Sequence, residues 1–356
     1  MKRTLILLLA LLLGLGTAVP ALAETTVVRV TCMGDVMLGS NDRVKEQDYA
    51  IQRYIEAYGY EYPFAELLPL TAHDDITLVN LECVFNSTEP DSLSQLRFRA
   101  PEEYVQALTA GSIEVVNLAN NHFSDFGKAA HETTVQALDA AGIRYCGSTE
   151  YGSYACYVDV KGVRVGFVGV IPLWYKEKPR DTQKCFQELK DAGCQVIIAS
   201  LHCGKEYNET HGSIHNTYFN NLQPLGANII VGTHPHVPQG VYVSKGVTQV
   251  YSLGNSVFGG NTGIHDGRNP ESIQYVGGMA ATFDLYFEDG VYTGHQMTLW
   301  PIHFSGTLPE NNYQPVLVEG EDAQKIMRRV QNDTAFPLNP YVDGEGAVQD
   351  FVPWNK

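Results

Sequence analysis

Short runs of β-branched and aliphatic residues recur along the chain, and many of them stop on a polar residue. Val27 to Met33 is such a run and leads into Gly34-Asp35. Asp75 to Glu82 is a second and closes on its glutamate. Ile113 to Leu118 leads into Ala119-Asn120-Asn121-His122, Gln195 to Leu201 into His202, and Ala227 to Val231 into Gly232-Thr233-His234-Pro235-His236. Uninterrupted apolar runs of this kind predict strands buried on both faces, as in a parallel sheet. Helical periodicity fills the gaps at Tyr49–Tyr58, Pro63–Leu68, Pro101–Ala110, Lys128–Ala141, Asp181–Ala192 and Ser213–Leu225. Three of these helices stop at Gly111, Gly142 and Gly193, a normal C-terminal signal. Ala155–Val160 and Val163–Val170 predict a hairpin about Lys161-Gly162. Beyond residue 240 the pattern turns strand-rich, with runs at Gly240–Val243, Thr248–Leu253, Gly278–Phe287 and Val291–Trp300. The expected fold class is α/β, with two sheets packed between helices in one domain spanning 24–304. Residues 305–356 are polar, carry one helix near Ala323–Val330 and read as a peripheral extension.

Composition changes this picture at the first residues. Met1-Lys2-Arg3 is basic, Thr4 to Val19 is almost wholly apolar, and Ala21-Leu22-Ala23 fits a small-x-small cleavage site. Residues 1–23 therefore read as an export signal, with an uncleaved membrane anchor as the alternative. The expected location is extracellular or at the cell surface. Removing those residues leaves 22 basic and 40 acidic side chains, a formal charge of −18. Such a surface repels nucleic acid and anionic lipid, so nucleic acid is not an expected partner. Bound cations can reverse the sign locally, so an anionic substrate stays open. The chain has seven cysteines and no CxxC. They read as small core residues rather than a disulfide framework.

The polar strand ends carry the chemistry. Parallel strands would bring Asp35, Glu82, Asn121 with His122, His202, and His234 with His236 to one rim of a sheet, where α/β proteins place their sites. A residue before proline is pushed from the helical region, so His234 is expected to be extended. His234 and His236, two residues apart, would then aim to the same side. Carboxylates mixed with imidazoles suit manganese, iron or zinc better than calcium. One or two divalent ions are the expected cofactors, and a carboxylate bridging two of them suits phosphoester hydrolysis. Plainer roles exist for each residue. Asp35 could cap a helix, Glu82 could pair with Arg97 or Arg99, and Asn120 and Asn121 could shape a turn. His202 could be a core histidine. If His202 faces the site, Cys203 should face away.

Six ordered motifs also carry a family resemblance. They are Gly34-Asp35-Val36-Met37-Leu38-Gly39, Asn80-Leu81-Glu82, Asn117-Leu118-Ala119-Asn120-Asn121-His122, His202-Cys203-Gly204-Lys205-Glu206-Tyr207, Gly232-Thr233-His234-Pro235-His236-Val237-Pro238-Gln239 and Tyr251-Ser252-Leu253-Gly254-Asn255. Together they resemble the CapA/PgsA family of poly-γ-glutamate capsule biosynthesis proteins, a branch of the calcineurin-like metallophosphoesterases. The resemblance implies a four-layer α/β/β/α metallophosphatase-like sandwich. It implies that Asp35 and His236 bind a first ion, that Glu82 bridges, and that Asn121, His202 and His234 bind a second. His122 would act as an acid or orient phosphate. Met37 stands where the superfamily usually has a histidine, Cys203 where the family has a tryptophan, and Glu82 where an aspartate is usual. The implied function is synthesis or export of a capsule-type polymer, with an anionic polymer or phosphoester as substrate and membrane-bound polyglutamate synthase subunits as partners. A secreted metal-dependent phosphoesterase and a non-catalytic assembly factor are the alternatives.

Overall fold

The apolar runs lie side by side in one continuous hydrogen-bonded path of strands. The computed structural model describes residues 24–354 apart from 93, 95, 259–276, 308 and 309, so the expected export signal lies outside the described residues. In chain order the elements are β1 (Thr25–Val36), α1 (Ile51–Tyr58), α2 (Leu68–Thr71), β2 (Ile76–Leu81), β3 (Val84–Phe85), β4 (Arg99–Ala100), α3 (Val105–Ala110), β5 (Val115–Asn117), α4 (Gly127–Ala141), β6 (Arg144–Ser148), β7 (Ser153–Val160) and β8 (Val163–Val170). There follow α5 (Pro172–Glu177), α6 (Pro179–Asp191), β9 (Val196–His202), α7 (Ser213–Leu222), β10 (Ile229–Thr233), β11 (Val241–Ser244) and β12 (Val247–Val250). Then come β13 (Gly278–Glu288), β14 (Val291–His303), β15 (Val316–Leu317), α8 (Gly320–Asn332), β16 (Ala347–Val348) and β17 (Val352–Pro353).

The sheet order is β11-β12-β10-β9-β8-β7-β6-β5-β2-β1-β13-β14-β15, with β16 and β17 also on β14. Strands β1, β2, β5 and β6 are parallel to one another, as are β8, β9, β10 and β12. The antiparallel β6–β7 and β7–β8 pairs join the two blocks. The sheet curls there, and the blocks face each other across a central core that unites Val30, Leu78 and Val115 with Phe167, Ile198 and Val231. The expectation of two separate sheets is thus corrected to one curled sheet whose halves act as the two β layers.

Period-two alternation sends the intervening residues outward. Val79 and Leu81 of β2 pack with Ile51, Ile55, Leu108 and Leu138 of the helices on one side. Ile197, Ala199 and Leu201 of β9 pack with Phe186, Leu189, Tyr218 and Leu222 on the other. Three apolar layers between four layers of secondary structure make the α/β/β/α sandwich. The terminal stretch read as peripheral contributes to it. Ala323, Met327, Val330, Tyr341 and Ala347 all enter the central core. In sequence this stretch looked marginal because its strands are only two residues long, too short to show alternation.

Candidate metal centre

The parallel strands deliver their polar ends to one place. Asp35 leaves the tip of β1, Glu82 follows β2, Asn121 and His122 follow β5, His202 ends β9, and His234 and His236 follow β10. Two glycines permit the close packing behind them. A Cβ on Gly34 would lie 1.8 Å from the carbonyl oxygen of Gly254, and one on Gly232 would lie 1.8 Å from that of Tyr251. The chain therefore threads the segment 251–256 between the two halves. Asp35 N–H donates to Gly254 O at 2.9 Å, and Ser256 N–H donates to Asp35 O at 2.9 Å.

Asp35 is wholly buried. Its Oδ1 accepts from Asn80 Nδ2 at 2.8 Å, and its Oδ2 accepts from the His234 backbone N–H at 3.2 Å. His236 Nδ1 lies 3.1 Å from Oδ2 and 2.9 Å from Asn255 Oδ1. His202 Nδ1 is 2.9 Å from Thr233 Oγ1, and its Nε2 is 2.6 Å from Asn121 Oδ1. Glu82 sits at the middle. Its Oε1 is 3.8 Å from His202 Nε2, 3.9 Å from His236 Nε2 and 3.9 Å from His122 Nε2. That oxygen is buried and has no hydrogen-bond partner, and neither has Nδ1 of His234.

The backbone at the histidine pair departs from expectation. His234 and His236 are not extended: their φ values are +96° and +60°. Left-handed backbone at a non-glycine residue, once just before proline, costs on the order of 1–3 kcal/mol each. Neighbouring segments hold it. The His234 N–H is turned to Asp35, Pro235 O accepts from Tyr207 N–H at 2.8 Å, and Pro238 bridges Leu253. Both rings still reach the centre, 6.1 Å apart, by a bend rather than by strand alternation.

The plainer roles fare differently. Asp35 precedes no helix. Arg99 pairs with Asp42 and Asp91, not with Glu82, and Arg97 lies over the ring of Phe126. Cys203 faces away into the helix-side core. Asn120 is structural: its Nδ2 donates to Leu81 O at 2.7 Å and its Oδ1 accepts from His122 N–H at 3.0 Å. Sequence reasoning did not single out Asn80, which touches Asp35 and His202, nor Asn255, although both lie in the quoted motifs. It also missed Asp125, whose Oδ2 is 2.9 Å from His122 Nδ1 and accepts from Phe98 N–H at 2.7 Å.

Electrostatics follow burial and these contacts. Burial, then the neighbouring Asp35 charge, raises Glu82 well above the usual carboxylate range. Burial also acts to raise Asp35, but its bond to His236 and the imidazoles of His236 and His202 outweigh that and hold it well below. Burial lowers His202 and His234. It would lower His236 too, but Asp35 more than compensates and the net shift is upward. Both upward shifts favour the protonated form, with which a bound cation would compete.

The donor set fits a divalent ion. Two carboxylates, three imidazoles and an amide oxygen suit manganese, iron or zinc. Ligand atoms on one such ion sit roughly 3–4 Å apart, the spacing around Glu82 Oε1. Two triads, Asp35–Glu82–His236 and Glu82–His202–His234, each bring three ligand atoms within 4.8 Å of one another and share Glu82. A third comprises Glu206, His234 and His236.

Residues 29–260 match the family described as "Bacterial capsule synthesis protein PGA_cap". The chain is 28% identical over 260 residues to the capsule biosynthesis protein CapA of Bacillus anthracis, covering 66% of this chain and 61% of that protein. It is 25% identical over 268 residues to the PGA biosynthesis protein CapA of Bacillus subtilis (strain 168), covering 70% and 67%. The aligned part therefore spans somewhat under or about two thirds of these relatives' length. Among solved structures, the 5'-nucleotidase of Candida albicans SC5314 overlays 74% of this chain and 52% of its own, with a TM-score of 0.40 and 11% identity.

Proposed function

Because the chain belongs to the PGA_cap family of bacterial capsule synthesis proteins, we propose that it is an exported, surface-facing factor in making or exporting poly-γ-glutamate, and that it carries a divalent-metal hydrolase centre. The observation that carries the centre is Glu82. A buried carboxylate oxygen with no hydrogen-bond donor, ringed by three imidazole nitrogens at 3.8–3.9 Å, is costly unless a cation completes it. Asp35, Glu82 and His236 would hold one ion. Glu82, Asn121, His202 and His234 would hold the other. Such ions, when bound, supply Lewis-acid polarisation of the scissile bond and a nucleophile competent at neutral pH.

The chain's own residues do the rest. Thr233 fixes the ring of His202 through Nδ1, and Asn255 fixes that of His236, leaving Nε2 of each toward Glu82. Asp125 accepts the Nδ1 proton of His122, so the Nε2 of His122 faces the centre. In its doubly protonated form, whose charge Asp125 balances, that Nε2–H would orient an anionic substrate oxygen or give a proton to a leaving group. The substrate would be an anionic polymer or a phosphoester, and membrane-bound polyglutamate synthase subunits are the proposed partners. Among the described residues no helix is long and apolar enough to cross a membrane.

One observation favours a non-catalytic reading. Met37, where the wider superfamily usually has a histidine, is buried in the helix-side core and leaves the Asp35 side short of a ligand. Elemental analysis of the purified protein, then assays on phosphoesters and on γ-glutamyl polymer with the metals found, separates the readings. Absence of any bound or recruited manganese, iron or zinc would refute the centre. Metal without turnover would make it a binding factor.

A further inference from the structure

The two ion-holding groups are unequally supplied. Around Glu82, His202 and His234 the side-chain oxygen of Asn121 adds a fourth donor, 2.6 Å from His202 Nε2. Around Asp35, Glu82 and His236 there are three, and Met37 is turned into the core. Borderline divalent ions take four or more ligands, so a further donor on that side has a clear place.

One further carboxylate stands beside His236, which belongs to that group, and beside His234. Glu206 is exposed, and an oxygen of its carboxylate lies within 4.8 Å of ring nitrogens of both His234 and His236, which lie within that distance of each other. Among the described residues it makes no hydrogen bond or ion pair. Its placement is not that of a loose loop tip. Gly204 takes φ +125° just after β9, and Tyr207 takes φ +58°. Tyr207 N–H donates to Pro235 O at 2.8 Å, and its ring lies 5.7 Å from that of His236. Gln239 Nε2 donates to Asn208 O at 2.8 Å and to Thr210 O at 3.2 Å, clamping the far end of the same loop. The loop is therefore strapped onto the His234-Pro235-His236 bend on both sides of Glu206, and residue 206 has little freedom to face elsewhere.

We propose that Glu206 is a metal ligand, supplying from the solvent side the fourth donor to the ion held by Asp35, Glu82 and His236. This rests on the metal-centre reading above. With two dications, the two buried carboxylates and three neutral imidazoles leave the centre at +4 − 2 = +2, and Glu206 brings it to +1.

The test is a calorimetric Mn2+ titration of the wild type, Glu206→Gln and Glu206→Asp, with electron paramagnetic resonance of the loaded proteins. The wild type is expected to take two ions with a spin-coupled signal. Glu206→Gln should keep one tight ion, weaken the other by at least roughly 10–100-fold and lose the coupling. Glu206→Asp should retain part of the affinity. Equal thermal unfolding of all three in chelator shows that the fold is unaffected. Two ions bound by Glu206→Gln at wild-type affinity, with the coupled signal kept, overturn the role of Glu206 while leaving the centre intact. No Mn2+ uptake by the wild type overturns the centre and this proposal together.

Discussion

Replacing Glu82 with glutamine tests the centre through a reversal of stability. Before an ion binds, Glu82 is a liability: its Oε1 is buried without a partner and its carboxylate adjoins that of Asp35. An unsatisfied buried acceptor costs about 1–3 kcal/mol. Glutamine has nearly the same shape, carries no charge and can donate its amide hydrogen where the protonated acid would. In chelator at pH 8 the Glu82→Gln protein should therefore be at least as stable as the wild type, by up to about 1–2 kcal/mol. The sign with pH is fixed by the raised folded pKa. A raised acid contributes fully below its ordinary value of 4.5 and loses that contribution as pH rises through the folded value. The advantage of glutamine should accordingly shrink as pH falls towards 4.5. Bound ion inverts the ranking. At Mn2+ a hundredfold above its dissociation constant the wild type gains about 2.7 kcal/mol, whereas the variant, lacking the shared ligand, gains little. Denaturant melts in chelator and in Mn2+, at pH 5 and 8, read both effects. A variant that loses more than about 3 kcal/mol in chelator at pH 8, or gains as much from Mn2+ as the wild type, would refute the reasoning.

Changing His234 and His236 together to alanine should abolish metal uptake while secondary structure survives; elemental analysis and circular dichroism check this, and retained metal would count against both residues as ligands. Gly34→Ala should fail to give stable protein or melt far below the wild type, because a Cβ 1.8 Å from Gly254 O forces β1 away from the segment 251–256; an unchanged melting temperature would show that these segments are not in register as described. His295 lies far from the centre, wholly buried between Thr248 Oγ1 and Tyr292 OH at 2.7 Å each, and burial pushes it down to about 3. The unfolded chain takes up that proton first, so stability should fall by about 1.4 kcal/mol per pH unit between roughly 6.5 and 3 relative to His295→Gln. Parallel slopes for the two proteins in urea melts over that range would contradict it.

Much of this was legible in the chain. Continuous apolar runs fix strands whatever surrounds them, because only burial on both faces satisfies them, and the acids, amides and imidazoles closing those runs pointed to one rim. The motifs from Gly34-Asp35 to Tyr251–Asn255 likewise pointed to the family. What local pattern could not carry was anything set by three segments meeting. The positive φ of His234 and His236 exists because Asp35, Tyr207 and Leu253 hold that bend from three directions, whereas the rule for a residue before proline knows only the next ring. Asp125 sits in a turn without periodicity, and Glu206, although inside the quoted motif His202–Tyr207, sits in another, so neither was singled out until the fold placed one on His122 and the other beside His234 and His236. The curl of the sheet and the entry of residues 323–347 into the core are of the same kind. Sequence determines which faces must be buried, and only the packing of distant elements decides which partner buries them.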